Sequence, residues 1–95
     1  MALYTIKARK LDQDGGLVAL QGFETNGFAP SRIGDDRLFS IPEVLGMIDD
    51  GDVFDLVFTV AAGRISGGAL ESDGAGWIRE KQPRQGCRIA DLPAV

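Results

Sequence analysis

The chain has 95 residues, of which 44% are hydrophobic and 25% are charged, and this composition is typical of one soluble globular domain spanning residues 1–95. It contains no histidine, which excludes zinc–histidine sites and histidine-based catalytic triads, and its one cysteine, Cys87, cannot form a disulfide within the chain. No apolar run reaches the roughly 18–20 residues that span a bilayer, and the first residues lack the features of a secretory signal. We therefore expect a cytoplasmic protein that does not bind membranes.

The charged residues are unevenly distributed along the chain. Fourteen acidic and ten basic residues give a net charge of −4, which argues against a general nucleic-acid-binding protein. The segment Asp49–Asp55 has four aspartates and no basic residue, whereas Trp77–Ala90 has four basic residues and a single acidic one, Glu80. This asymmetry can orient a charged partner on the basic segment, although two solvated faces would give the same pattern.

The first part of the chain predicts a β-hairpin. Apolar and polar residues alternate in Leu3–Leu11, which is the period of a half-buried strand. The glycines and aspartates of Asp12–Gly16 favour a turn, and Leu17–Phe23 then reads as the second strand. The following segment, Glu24–Phe39, keeps neither a helical nor a strand period, so we expect an irregular loop over about residues 24–39.

A helix is predicted after this loop. Ser40 and Glu43 have the spacing of a capping box, Pro42 falls in the first turn, and Gly51 supplies a residue that ends the helix. One face is apolar at the helical spacing, at Ile41, Val44, Leu45 and Ile48. A helix of about ten residues is not stable alone, so it is expected to pack on a sheet.

The second half of the chain predicts three more strands. Val53–Ala61 alternates strongly, a fourth strand follows over about Arg64–Leu70, and Trp77–Lys81 is a short fifth strand. The tail, about residues 83–95, is expected to be irregular. The predicted fold is α+β in the order β-β-α-β-β-β, a twisted antiparallel sheet of four to five strands with one helix packed on one face.

Several short motifs resemble those of a small family of uncharacterised bacterial domains of unknown function. The matching residues are Ser40, Ile48 and Gly51 around the helix and the closing run Ile89–Pro93, which is similar to the Leu-x-x-Leu-Pro ending of that family. Ile89 stands where the family has leucine. The resemblance implies a similar fold and carries no activity, cofactor or site residue with it.

No motif in the sequence predicts a catalytic, cofactor-binding or metal-binding residue. The aspartates of Asp49–Asp52 lack the spacing of a calcium loop, and Gly63–Gly68 lacks the Lys-Ser/Thr ending of a phosphate loop. Two arginines lie near Cys87 in the sequence, but no base beside it would activate the thiol.

The basic segment 77–88 is the best candidate for a binding surface, because tryptophan and arginine are frequent interface anchors. Its residues are Trp77, Arg79, Lys81, Arg84 and Arg88. We expect a non-catalytic protein-binding module whose partner is another protein. The alternatives are a weak nucleic-acid-binding module that uses this segment and a small carboxylate-based enzyme. A homodimer through an exposed sheet edge is a further prediction, and Trp77 in the core with a solvated basic rim is the simplest alternative.

Overall fold

The computed structural model describes residues 2–25 and 32–95. In this part of the chain one helix packs against one six-stranded sheet, an α+β arrangement. The elements are β1 (Leu3–Leu11), β2 (Leu17–Thr25), β3 (Arg32–Ser40), α1 (Ile41–Asp49), β4 (Val53–Val60), β5 (Gly63–Ser72) and β6 (Ile78–Glu80), followed by a short 3₁₀ helix at Ile89–Asp91. No helix in the described ranges is long and apolar enough to cross a membrane.

The sheet is mixed, with the strand order β3-β2-β1-β4-β5-β6. Strand β1 pairs with β4 in the parallel direction from Leu3↔Val53 to Ile6↔Leu56, and the other neighbours are antiparallel. The prediction of a purely antiparallel sheet with four to five strands is therefore wrong. The connection through α1 leads from the β3 edge back to the middle of the sheet, so β4 enters beside β1 in the same direction.

Strand β3 replaces most of the irregular loop that the sequence predicted. Phe39 pairs with Leu20 and Arg32 with Thr25, but the register shifts between them, so that the three residues 34–36 lie opposite Phe23 alone. Gly34, with φ of 80°, permits this bulge. The bulge interrupts the alternation of side chains, which is why no strand period is visible in the sequence. Residues 26–31 of the predicted loop lie outside the described residues.

Helix α1 follows the sequence prediction closely. The Glu43 backbone N–H donates to the Ser40 hydroxyl, and the Ser40 backbone N–H donates to the Glu43 carboxylate, both at 3.2 Å. Gly51 follows the end of the helix with φ of 98°. Ile41 and Val44 are buried, and Leu45, Met47 and Ile48 pack at the margin of the core.

The core lies between α1, one face of the sheet and the C-terminal segment. Three aromatic rings form its centre: Tyr4 stacks on Phe54 with a centroid distance of 4.9 Å, and Phe39 packs edge-on against both. The other buried members are Ile6, Leu20, Ile41, Val44, Leu56, Phe58, Leu70, Ile78, Cys87, Ile89 and Leu92.

The C-terminal segment is attached to the middle of the sheet. Strand β4 pairs only with the first part of β1, so the later part of β1 is open on that side. The C-terminal segment fills this gap beside Arg9 of β1: the Arg9 backbone N–H donates to the Pro93 carbonyl, and the Arg9 carbonyl accepts from the Val95 N–H, both at 2.9 Å. These bonds hold Leu92, which is 2% exposed, over the core. The segment has little regular structure but a fixed position.

Candidate partner-binding cleft

Trp77 lies directly before β6, with 44% of its surface exposed. Its position is fixed by Asp73, whose carboxylate accepts from the backbone N–H groups of Ala75 at 2.7 Å and Trp77 at 3.0 Å. These two N–H groups hold the pKa of Asp73 below its usual value. The Asp73 backbone N–H in turn donates to the Trp77 carbonyl at 2.9 Å. The exposed indole is therefore carried by an ordered turn.

A cleft of about 270 Å³ opens beside Trp77. Its walls come from three distant parts of the chain: the hairpin between β1 and β2, strand β6, and the C-terminal segment. The lining residues are Arg9, Leu11, Gly15, Leu17, Trp77, Ile78, Glu80, Ile89 and Ala90. Most of these are apolar, so the cleft suits an apolar side chain.

The two charged residues of the lining are used to hold its walls together. The Arg9 guanidinium donates through Nε to the Leu92 carbonyl at 2.8 Å. The Glu80 carboxylate accepts from the Ile89 backbone N–H at 3.3 Å. Both groups fix the C-terminal segment against the sheet. Ile78 and Ile89 are buried, so Leu11, Leu17 and Trp77 are the large apolar side chains of the lining that a ligand can reach.

The structure separates the five residues that the sequence grouped as a binding segment. Trp77 alone lines the cleft. Arg79 points away from it, since it donates through Nε to the carboxylate of Glu71, its cross-strand neighbour, at 2.6 Å. Lys81, Arg84 and Arg88 are exposed. Arg88 lies directly before Ile89 of the cleft wall, and its backbone N–H donates to Asp91 at 3.0 Å.

Leu11 and Leu17 contribute to the cleft although the sequence analysis did not select them. They are register partners at the end of the first hairpin, about 60 residues before Trp77. Their only sequence signal is an apolar residue on each side of a polar turn, which is common to many hairpins. The contact with the C-terminal segment depends on the Arg9–Pro93 and Arg9–Val95 bonds, which no local pattern predicts.

The remaining candidates for chemistry are not assembled into a site. Cys87 is a free, buried thiol. Within residues 2–25 and 32–95 no group of three or more histidine, cysteine, aspartate or glutamate side chains could hold a metal ion. A larger hollow of about 490 Å³ lies between α1 and the turn after β5, but it is lined partly by Gly46 and Gly76 and lacks an aromatic anchor.

No family model, curated protein or solved structure matches this chain. The resemblance to small bacterial domains of unknown function thus stays a prediction.

Proposed function

We propose that the protein is a non-catalytic binding module that takes an apolar side chain of a partner protein into the Trp77 cleft. The observation that carries this proposal is the half-exposed indole of Trp77 beside a cleft whose lining includes the partly exposed side chains of Leu11 and Leu17. A large aromatic side chain is costly to leave in water and is enriched among residues that dominate binding energy. Its ordered turn limits the conformational entropy lost on binding.

The charges around the cleft favour an acidic partner segment. Lys81, Arg84 and Arg88 are exposed and make no ion pair within the described ranges, so the segment that follows β6 presents three unpaired cations although the whole chain has a charge of −4. Charges at the rim of an interface mainly raise the association rate and select partners. We therefore infer a segment with one apolar side chain flanked by aspartate or glutamate.

The size of the cleft limits how much of a partner can bind in it. A volume of about 270 Å³ receives one or two side chains, not a whole protein face. We expect a short linear segment and a transient complex at the low end of interface size.

A peptide selection tests this proposal. A random peptide library is selected against the wild-type protein and counter-selected against Trp77→Ala. We expect enriched peptides to share an apolar residue next to acidic residues, and to lose binding on Trp77→Ala. Ile65→Ala is the matched control, because Ile65 is exposed to a similar extent, 43%, outside the cleft. Enriched peptides that bind the wild-type protein and Trp77→Ala equally well would contradict the proposal.

Titration of the same protein with oligonucleotides distinguishes this function from nucleic-acid binding. Arg79 is paired with Glu71 and does not join the other basic residues, which lowers the positive charge available to phosphates. Titration with mixed oligonucleotides at low and moderate salt should give no saturable binding. A salt-sensitive response at Trp77, Lys81, Arg84 and Arg88 would instead favour the nucleic-acid module.

A homodimer through a sheet edge is a second candidate. The outer side of β3 has no strand partner among the described residues, and Ile33 and Leu38 on this strand are 48% and 47% exposed. Unpaired edges invite strand addition, although the bulge at Gly34 opposes it. Light scattering over a concentration series should show a dimer that Leu38→Lys dissociates; a monomer at all concentrations would exclude this assembly.

We also infer a reducing cytoplasm as the compartment, since the one cysteine is a buried free thiol.

A further inference from the structure

The sheet face opposite α1 contains a small recess that the proposed function does not use. It has a volume of about 80 Å³ and is more enclosed than the Trp77 cleft. Its lining is polar and basic, with side chains from five neighbouring strands. The residues are Thr5, Lys7, Phe23, Arg32, Val57, Thr59 and Arg64.

The register of the sheet explains why these residues meet. Side chains alternate between the two faces, so Thr5 on β1 and Val57 on β4 point away from the core that holds Ile6 and Leu56. Thr59 pairs with Arg64 across β4 and β5, and Thr5 pairs with Phe23 across β1 and β2. Three cations from β1, β3 and β5 therefore border one recess.

One wall of the recess is fixed by an aromatic ring. The Arg32 guanidinium lies 4.2 Å from the centre of the Phe23 ring, which is a cation–π contact. Phe23 is buried, 7% exposed, yet it lies outside the core cluster. Arg32 covers this ring, and the contact holds the Arg32 guanidinium at the recess.

Two of the three cations already bind a carboxylate, that of Asp36. Its carboxylate forms ion pairs with the Lys7 ammonium and with Arg32, the latter at 2.7 Å. The hydrogen bond from Lys7 is the main cause that holds the pKa of Asp36 below its usual value. Lys7 and Arg32 are thus arranged around a carboxylate oxyanion. The third cation, Arg64, makes no ion pair or side-chain hydrogen bond within residues 2–25 and 32–95.

We propose that this recess binds a dianionic phosphate group, either inorganic phosphate or the terminal phosphate of a small molecule. Asp36 pairs with two of the three cations, and Arg64 remains to meet a phosphate monoester, which carries about −1.5 to −2 at neutral pH. At about 80 Å³ the recess is much smaller than the Trp77 cleft, which suits a compact oxyanion such as phosphate.

The geometry assigns a role to each group. Arg64 is the unpaired guanidinium that recruits the phosphate, and its planar fork suits two oxygens of one phosphate. The Thr59 hydroxyl, opposite Arg64, donates a further hydrogen bond. Lys7 and Arg32 are shared between the ligand and Asp36, so Asp36 competes with the phosphate. Asp55, beside Thr5 on this face, does not line the recess.

Amide NMR titrations in phosphate-free buffer at constant ionic strength test this site. The probes are inorganic phosphate, glycerol 3-phosphate and dimethyl phosphate, a monoanionic diester. We expect saturable shifts at Thr5, Thr59 and Arg64 with the first two probes and none with the diester. Tighter binding of glycerol 3-phosphate than of inorganic phosphate would identify a small phosphate monoester as the ligand, and the reverse would identify free phosphate.

Two variants and a control separate this site from non-specific attraction. Arg64→Gln should weaken phosphate binding about tenfold, and Asp36→Asn should strengthen it about threefold because it frees Lys7 and Arg32. Arg84→Gln removes the same charge at an exposed residue that does not line the recess and should leave phosphate binding unchanged. Three results would each overturn the proposal. They are equal weakening of phosphate binding by Arg64→Gln and Arg84→Gln, weaker phosphate binding by a folded Asp36→Asn variant, and equal affinity for the diester and the monoester. None of these outcomes depends on the Trp77 cleft.

Discussion

The two faces of the sheet differ in how they are stabilised. On the face that α1 covers, Tyr4, Phe39 and Phe54 pack ring against ring and are almost completely removed from water. On the opposite face, Lys7, Arg32 and Asp36 form ion pairs that remain partly solvated. The difference teaches that stability is concentrated on the covered face, because buried apolar area contributes far more to folding than exposed ion pairs do.

The largest effect should come from truncating the covered face. Phe54→Ala should lower the free energy of unfolding by about 3–5 kcal/mol, because Phe54 is fully buried and its ring contacts two others. Val57→Ala, on the open face of the same strand, should cost under about 1 kcal/mol since Val57 is only half-buried. Urea denaturation of both variants measures the contrast. Equal losses would show that the open face is also part of the core.

A pair of glycines gives the next largest effect. A Cβ atom on Gly22 would lie 2.0 Å from the Thr5 carbonyl oxygen, whereas one on Gly46 meets nothing within 4 Å. Gly22→Ala should therefore destabilise the protein by about 2–4 kcal/mol by separating β1 from β2. Gly46→Ala, inside α1, should stabilise it by about 0.5–1 kcal/mol. Thermal unfolding compares the two; an unaffected Gly22→Ala variant would disprove the close approach of these strands.

The turn that carries Trp77 gives a smaller, binding-specific effect. Asp73→Ala removes the acceptor of the Ala75 and Trp77 N–H groups and should weaken binding of a selected peptide roughly three- to tenfold. Asp73→Asn keeps an acceptor oxygen and should retain most of the affinity. Calorimetry of both variants with one peptide tests this. If alanine and asparagine behave alike, the turn does not position the indole.

The smallest effect concerns Asp55 on the open face and depends on pH. Burial raises the pKa of Asp55, so its charged form is disfavoured in the folded protein. Its charge destabilises the fold above this raised pKa, and the penalty disappears as pH falls below the unfolded pKa. Asp55→Asn should thus stabilise the protein at pH 7 by less than about 1 kcal/mol, because the carboxyl is partly exposed, and have no effect near pH 3. Unfolding curves of both proteins at pH 7 and pH 3 test this prediction. A gain in stability that persists at pH 3 would show that the charge of Asp55 is not its cause.

The sequence predicted the elements whose signals are local. The capping box of Ser40 and Glu43, the end of α1 near Gly51 and the strong alternation in Val53–Val60 all appear in the structure. The turn around Asp73 and the short strand that follows it also appear in the structure, whereas the role of Trp77 in binding stays a prediction.

What the sequence could not predict depends on distant contacts. Strand β3 was not found because the bulge at Gly34 breaks its alternation, and its pairing with β2 determines the register. The parallel pairing of β1 with β4 follows from the path of α1. The pairing of Arg79 with Glu71, which removes Arg79 from the cleft, requires the β5–β6 register. In each case a partner far along the chain or across the sheet decides the result.

Fluorescence of Trp77, the sole tryptophan, tests the central claim most directly. The protein is titrated with a short acidic peptide that carries a central leucine, and with the same peptide carrying serine in its place. The account predicts a saturable blue shift of the emission with the leucine peptide alone, because its side chain displaces water from the cleft beside the indole. An unchanged emission with every apolar acidic peptide that binds the protein, or an equal shift with leucine and serine, would contradict it.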